Sequence, residues 1–403
     1  MQRPEVLSPA GDMERLKMAV AFGANAVYLS GKQFGMRGGV PNFSEDELRE
    51  AVKLCHAQQV RVHVTVNTLP RAEELEALPD YLHFLDSIGA DALIVADLGV
   101  FRMAQKRCPN AELHISTQSG IVNAAAATAW YELGASRVVL AREMSLEEIA
   151  VLRRDTPKQL EIETFVHGAM CVSFSGRCLL SNYMTGRDGN RGVCAQPCRW
   201  KYALVEEKRP GQYFPIGEED DGTYIMNSKD LCMIDHIPAL LEAGVDALKI
   251  EGRAKSSYYT AVMTNAYQHA VTAALKGRPL EPVWRAEVEK VSHRNYYTGF
   301  YFERPAAGQY YADARYVRDW QVSGLVRSCD ADGNALITQR NRFWQGDELE
   351  MIAPGREPVR FTVEHMTDED GAPVECANHA AMLLHMRLPE AVPPYTILRK
   401  AVE

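Results

Sequence analysis

The sequence has no long apolar run and no low-complexity segment. No stretch approaches the roughly 18 apolar residues that a membrane-spanning helix needs, so we expect no contact with a membrane. The first residues do not lead from a charged stretch into an apolar run, which predicts a cytoplasmic protein without a secretory signal. Thiols stay reduced in that compartment, and structural disulfides are therefore not expected.

An excess of positive charge is also absent. The 403 residues carry 44 basic and 53 acidic side chains, which gives a formal net charge of −9. This balance excludes a protein that coats nucleic acid through bulk charge, although a local basic patch can still bind it. Hydrophobic residues make up 46% of the chain, so a largely disordered state is excluded as well.

Several catalytic motifs are missing. The first predicted strand is followed by Pro9-Ala10-Gly11-Asp12 and not by G-x-G-x-x-G, which disfavours a dinucleotide-binding site. The chain has no H-E-x-x-H zinc motif, no activated serine motif and no paired catalytic aspartates. The motifs of the common protease classes are therefore absent.

An internal repeat is present in the first 280 residues. The segments GANAVYL (23–29), GADALIV (89–95), GASRVVL (134–140) and GVDALKI (244–250) each follow an amphipathic stretch with helical spacing. Glycine ends a helix well, and a short apolar run suits a strand that is buried on both faces. About eight such strands predict an α/β fold, a TIM-type (β/α)8 barrel; a doubly wound open sheet is the alternative.

The predicted barrel carries an insertion and an appendage. An oversized connection, 168–244, follows the seventh strand and therefore lies on the face where barrel enzymes place their active sites. Short alternating strands with turns between them follow from about residue 322. We predict a catalytic domain at 1–285, a linker at 286–320 and a small C-terminal β-barrel domain at 321–403.

Five of the nine cysteines fall within the 62 residues from 171 to 232, where an even distribution would place about one. They are Cys171, Cys178, Cys194, Cys198 and Cys232. Their spacing favours an iron–sulfur cluster over structural zinc, because only Cys194 and Cys198 have the short separation of a zinc knuckle. A single nucleophilic thiol activated by His167 and a set of buried free cysteines are the other interpretations.

Polar side chains recur where the predicted strands end. They are Asp12, Asn67, Asp97, Gln118, Arg142, Glu143, Glu163, His167, Glu251 and Arg253. These positions ring the expected active-site mouth. Glu163 and His167 lie on the strand that leads into the insertion, so they are candidates for a general acid/base pair or for groups that support a bound metal.

The insertion is basic although the chain is acidic. Between 171 and 201 five cationic side chains stand against one acid, Asp188. The cations are Arg177, Arg187, Arg191, Arg199 and Lys201. Such a patch can balance cluster-bound thiolates, bind a carboxylate or phosphate, or hold one RNA element.

The segments ETFVHGAMCVSFSGRCLLS (163–181) and NYMTGRDGNRGVCAQPCRWK (182–201) resemble the peptidase U-thirty-two family of collagenase-like peptidases. The second segment is similar to the branch that hydroxylates transfer RNA, and the likeness extends over nearly the whole chain. The resemblance implies oxygen-independent hydroxylation of a wobble uridine, with prephenate as the hydroxyl source. It also implies a 4Fe–4S cluster on Cys171, Cys178, Cys194 and Cys232, with Cys198 as a competing ligand.

On this interpretation Arg142, Arg187 or Arg253 would hold the carboxylates of prephenate, because arginine pairs with carboxylates in a bidentate manner. Ribosomal RNA and ubiquinone precursors are the other substrates that the family resemblance implies. The rival classes are a peptidase that acts on collagen-like or small peptides, and a zinc-stabilised scaffold that pairs with a paralogous subunit.

Overall fold

The computed structural model gives the arrangement of most of the chain. It describes residues 3–36, 41–170, 178, 180–187, 189, 193–200, 203–204, 214–215, 229–302 and 317–402. Among these residues no helix is both long and apolar enough to cross a bilayer.

Eight parallel strands form a closed barrel, as the repeat predicts. In chain order they are Glu5–Pro9, Ala26–Leu29, Arg61–Val66, Ala92–Val95, Glu112–Ile115, Arg137–Val139, Glu161–Ala169 and Ala247–Ile250. Each strand pairs with the next, and the eighth pairs with both the seventh and the first. The strands are almost entirely buried, which explains why they read as continuous apolar runs.

Helices alternate with these strands and cover the outside of the barrel. They are Met13–Ala21, Glu45–Ala57, Leu78–Ser87, Leu98–Arg107, Ala124–Glu132, Leu146–Arg154, Ile237–Glu242 and Ser257–Leu275. The capping box at the start of Glu45–Ala57 is confirmed, since Ser44 and Glu47 each accept a hydrogen bond from the other's backbone N–H. The repeat glycines end helices in the left-handed region, with φ of 107° at Gly134 and 83° at Gly244.

The seventh strand is longer than its neighbours, and two further strands extend the sheet from its end. Asp230–Cys232, at the end of the insertion, pairs antiparallel with its last residues and places Cys232 opposite His167. Tyr296–Tyr297 then pairs with Asp230–Cys232. Shorter elements in and around the insertion are the helix Leu180–Thr185, the 3-10 turns Pro197–Arg199 and Ile234–His236, and the strands Ala203–Leu204 and Phe214–Pro215.

The C-terminal part is a separate antiparallel sheet with its own core. Its seven strands are Trp320–Cys329, Asn334–Gln339, Glu348–Ile352, Val359–Thr362, Met366–Thr367, Leu383–Arg387 and Ile397–Ala401. Phe343–Trp344 and Cys376–Ala377 form a second, two-stranded sheet. The predicted all-β appendage is thus confirmed. The two edge strands of the seven-stranded sheet are Val359–Thr362 and Met366–Thr367, and none of the described strand pairings joins them to each other.

A buried ion-pair network joins this domain to the barrel. Arg399 is fully buried and its Nη2 donates to Glu287 at 2.5 Å and to Glu350 at 2.7 Å. Lys290 also donates to Glu350, at 2.8 Å. Glu287 and Lys290 lie in and directly after the helix Pro282–Glu289, so residues within the predicted linker 286–320 take part in the domain contact. The boundaries of that linker stay a prediction.

Candidate active site and cysteine insertion

A cavity of about 110 Å³ lies at the carboxyl ends of the barrel strands. It is lined by Tyr28, Met36, Thr65, Asn67, Ile94, Ser116, Thr117, Gln118, Val139, Arg142, Phe165, Lys249, Glu251 and Arg253. The sequence singled out five of these positions, which are Asn67, Gln118, Arg142, Glu251 and Arg253. Two other strand-end candidates have a local role instead, because Asp12 and Asp97 cap the helices that follow them.

Two arginines at the cavity are held in place by the barrel. Arg253 is 3% exposed and donates to Thr65 Oγ1 at 3.2 Å and to Asn42. Arg142 donates to the carbonyl of Ala169 at 3.1 Å, and its guanidinium lies 3.9 Å from the centre of the Phe165 ring. The Nε of Arg142 is buried and has no hydrogen-bond partner among the described residues. Both side chains therefore suit an anionic ligand.

An amide pair forms another side of the cavity. Asn67 Nδ2 donates to Gln118 Oε1 at 2.8 Å, and Ser116 Oγ donates to the same oxygen at 3.2 Å. The backbone N–H of Met36 donates to Asn67 Oδ1. These bonds fix the direction of the amides, so the cavity combines oriented neutral groups with cations.

Glu163 lies below the cavity, inside the barrel, in a network of charges. Its Oε1 accepts from Lys249 Nζ at 2.6 Å and its Oε2 accepts from Arg137 Nη1 at 3.0 Å. Arg137 also bonds Glu5 and Glu161. Burial by itself would raise the pKa of Glu163, but Lys249 and Arg137 outweigh that effect and hold the pKa at about 2. Glu163 is therefore an ionised partner of two cations and not a proton donor near neutral pH.

Two histidines share this interior. His63 and His114 are fully buried, with ring centroids 4.8 Å apart. Burial and the charge of Arg137 lower the pKa of His114 to about 4, and burial together with His114 lowers that of His63 well below its usual value. Their nitrogens and a Glu163 oxygen lie within 4.8 Å of one another. Both Glu163 oxygens already accept hydrogen bonds from Lys249 and Arg137, so a metal ion bound here would have to displace these two cations.

His167 lies on the other side of the seventh strand. The pairing of this strand with the eighth shifts register between Phe165 and His167, so Val166 is an extra residue. Such a bulge turns the following side chain to the opposite face. His167 is buried outside the barrel, where its Nδ1 contacts Tyr267 Oη at 3.2 Å and its Nε2 contacts Tyr296 Oη at 3.3 Å. The structure thus separates Glu163 from His167, and their catalytic roles stay predictions.

Four of the five cysteines of the insertion lie within the described residues. Cys171 falls outside the described residues. Cys178 and Cys198 are half-buried, Cys194 is exposed, and Cys232 is buried beside Tyr267. Cys194 and Cys232 are free thiols. Among the described residues no three cysteine sulfurs lie within 4.8 Å of one another, a spacing that one zinc ion would require.

The surroundings of two sulfurs fit an iron–sulfur cluster. Cys194 Sγ accepts the backbone N–H of Gln196 at 3.3 Å. Burial raises the pKa of Cys232 to about 11, while the N–H of Ile234 and the charge of Arg285 act against that rise. Backbone N–H groups and a nearby cation stabilise cluster-bound thiolates, so the donor set suits that cofactor.

Arg187 is not part of the cavity lining. It is exposed, and its Nε donates to the carbonyl of Val193 at 2.9 Å within the insertion. Of the three arginines predicted to bind substrate, the structure brings Arg142 and Arg253 together at one cavity and leaves Arg187 on the insertion surface. The binding roles of all three stay predictions.

Sequence reasoning missed Lys249 and Arg137. Both stand inside strands whose pattern is mainly apolar, and an ionisable side chain in such a strand points to a buried partner. His63 and His114 carry the same signal, since each stands between apolar residues of a strand. Four ionisable residues in apolar strands would have located the charged interior of the barrel.

Family models match both parts of the chain. The model described as Peptidase family U32 matches residues 11–310, and the model described as Peptidase family U32 C-terminal domain matches residues 318–399. The second match begins just before Trp320–Cys329, the first strand of the antiparallel sheet.

Relatives match over most of the chain. It is 37% identical to tRNA hydroxylation protein P1 of Bacillus subtilis, covering 99% of this chain and 95% of that protein. It is 35% identical to tRNA hydroxylation protein P of Escherichia coli, covering 92% and 90%. It is 36% identical to the 23S rRNA 5-hydroxycytidine synthase of Escherichia coli, covering 68% and 40%. On these matches, the chain belongs to peptidase family U32.

Proposed function

We propose that the chain hydroxylates RNA, and specifically a wobble uridine of transfer RNA, with prephenate as hydroxyl donor and with a 4Fe–4S cluster. The observation that carries this proposal is similarity over nearly the full length to two proteins named for tRNA hydroxylation. The relative named for ribosomal RNA aligns with this chain over only 40% of its own length. Transfer RNA is therefore the favoured substrate.

The barrel cavity supports prephenate as the donor. Prephenate carries two carboxylates, and Arg142 and Arg253 line the cavity together with Lys249. Arg142 retains a buried Nε without a partner among the described residues, which a ligand carboxylate would satisfy. The oriented amides of Asn67 and Gln118 offer hydrogen bonds to the neutral part of the ligand.

The insertion supports the cluster. Cys171, Cys178, Cys194 and Cys232 are the proposed ligands. When bound, the cluster supplies one-electron redox chemistry. Cys232 is anchored opposite His167 by strand pairing, and the hydroxyls of Tyr267 and Tyr296 contact that imidazole. These groups would hold Cys232 in a fixed, buried position from which its thiolate could bind the cluster.

The test of substrate is nucleoside analysis of RNA from a strain that lacks this chain. We expect loss of hydroxyuridine-derived wobble nucleosides from transfer RNA, with no change in the hydroxylated nucleosides of ribosomal RNA. Wild-type chain supplied on a plasmid restores the loss. Unchanged transfer RNA would contradict the proposal, and a loss confined to ribosomal RNA would move the substrate to that class.

The test of the cofactor is the metal content of protein purified without oxygen. We expect a brown protein with iron and sulfide in equal amounts. Cys232→Ser should lower both, whereas Cys329→Ser, which removes a free thiol of the C-terminal domain, should leave them unchanged. Cys194→Ser and Cys198→Ser, compared in the same way, identify the third ligand. A colourless protein that holds zinc would contradict the cluster.

A further inference from the structure

A buried lysine forms part of the cavity wall, and the proposed function leaves it without a chemical role. Lys249 lies in the eighth barrel strand, lines the cavity and has a side chain that is 5% exposed. Its Nζ lies 4.7 Å from the centre of the Tyr28 ring and 5.5 Å from that of Phe165. An ammonium group so enclosed is rare, because burial disfavours the charged form.

We propose that Lys249 forms a Schiff base with the keto carbon of a 2-oxo acid bound in this cavity. The identity of that acid rests on the proposed function, since prephenate carries a 2-oxo acid side chain. The cation for its carboxylate is close by, because Arg142 and Lys249 lie against the same ring, that of Phe165. One ligand can therefore pair its carboxylate with Arg142 while its keto carbon meets the amine.

The charge network can compensate Glu163 for the proton that Lys249 must lose. Glu163 is held by Arg137 as well as by Lys249, so the carboxylate keeps a cationic partner when Lys249 becomes neutral. Burial lowers the pKa of Lys249, and the charges of Arg137 and Arg142 act in the same direction, while Glu163 opposes them. A neutral, buried amine next to other cationic groups is the nucleophile that Schiff-base chemistry needs.

The reaction balances without an added oxidant or reductant. The ammonium form first gives one proton to solvent, and the neutral Nζ then adds to the keto carbon. The carbinolamine takes up one proton, loses its oxygen as water and leaves an iminium that carries one positive charge. That charge occupies the place of the ammonium beside Glu163, so the ion pair is preserved in the product.

The test traps the iminium by reduction. Wild-type protein is incubated with prephenate or with pyruvate in the presence of cyanoborohydride, digested, and mapped by mass spectrometry. We expect about one adduct per chain, on the peptide that contains Lys249. Because the adduct is mapped on wild-type protein, the result does not depend on a variant that folds.

Two variants provide the control. Lys249→Arg keeps a cation beside Glu163 but has no amine that forms an imine, and it should lose the adduct by at least about tenfold. Lys255→Arg, which alters a lysine that pairs with Asp230, should retain it. Circular dichroism checks that both variants fold.

The outcomes separate this inference from the proposed function. Adducts with neither acid, or adducts spread over other lysines, in a protein that still hydroxylates transfer RNA with prephenate would overturn the role of Lys249 alone. An adduct at Lys249 with pyruvate but not with prephenate would support the Schiff base and contradict prephenate as the donor.

Discussion

Two buried arginines show how differently a protein uses enclosed charge. Arg137 lies inside the barrel between Glu5, Glu161 and Glu163, and Arg399 lies between the domains with Glu287 and Glu350. Both are almost completely buried. The first network borders a cavity and contains Lys249, whereas the second has none of the cavity-lining residues among its members. Burial of charge is therefore common to both networks, and only the first lies at the candidate site.

The largest expected effect comes from removing one carboxylate from each network. Glu163→Gln and Glu350→Gln should each lower the free energy of unfolding by about 3–5 kcal/mol, because each removes the charge from a buried ion pair, with Lys249 and with Arg399 respectively. Urea unfolding measures this loss. At a temperature where both variants stay folded, only Glu163→Gln should lose prephenate-dependent hydroxylation. Equal loss of activity in both variants would remove the distinction between the networks.

The histidines of the barrel interior make its stability depend on pH. The pKa of His114 is about 4 in the folded protein and near 6.5 when unfolded, so the unfolded state binds more protons between these values. Stability is therefore lost as pH falls from 6.5 to 4, by about 3 kcal/mol for this group. The free energy of unfolding, measured with urea at several pH values across this range, should depend less on pH in His114→Gln than in the wild type.

The exposed His385, in the C-terminal sheet, provides the control for that pH dependence. In His385→Gln the free energy of unfolding should depend on pH as it does in the wild type. If His114→Gln keeps the wild-type dependence as well, the buried imidazole is not its source. Glu163 contributes at lower pH, since its stabilisation is lost as pH falls from 4.5 towards 2.

Removal of Arg142 should affect ligand binding more than stability. Arg142→Ala deletes a cation at the cavity, and we expect the KM for prephenate to rise at least about tenfold, the equivalent of ~1.4 kcal/mol. Arg142→Lys keeps the charge but not the bidentate guanidinium. Its KM should lie between those of the wild type and of Arg142→Ala. Steady-state hydroxylation of transfer RNA at varied prephenate measures both. An unchanged KM in Arg142→Ala would place the donor elsewhere.

The smallest expected effect is that of a helix-capping variant, which serves as the control for general loss of stability. Ser44→Ala removes the capping box of an outer helix, far from either network, and should cost about 1 kcal/mol of stability without a change in KM. Thermal unfolding measures the loss. A change of KM in this variant would mean that general destabilisation, and not the cavity, controls donor binding.

The parts of the fold that depend on local signals could be predicted from the sequence. The eight strands, the helix-ending glycines and the Ser44 capping box follow from apolar runs, backbone freedom and short-range hydrogen bonds. Arg142 and Arg253 were found because they stand where strands end. These inferences need no knowledge of which distant residues meet.

Other features depend on pairing between distant strands. The extra residue Val166 turns His167 away from Glu163, and only the register with the eighth strand reveals it. Lys249 meets Glu163 because neighbouring strands of a closed barrel share an interior, which spacing along one strand does not show. Cys232 lies opposite His167 through an antiparallel strand that only the structure reveals.

That antiparallel strand also has a consequence for the length of the insertion. The chain leaves the barrel wall at Ala169 and returns at Asp230, and these two residues are paired with each other. The insertion is thus a closed loop whose ends are fastened by the wall itself. Doubling the length of such a loop costs only about 0.6 kcal/mol of closure entropy. A change in the length of this loop is therefore expected to cost little stability and to leave the barrel and its cavity unchanged.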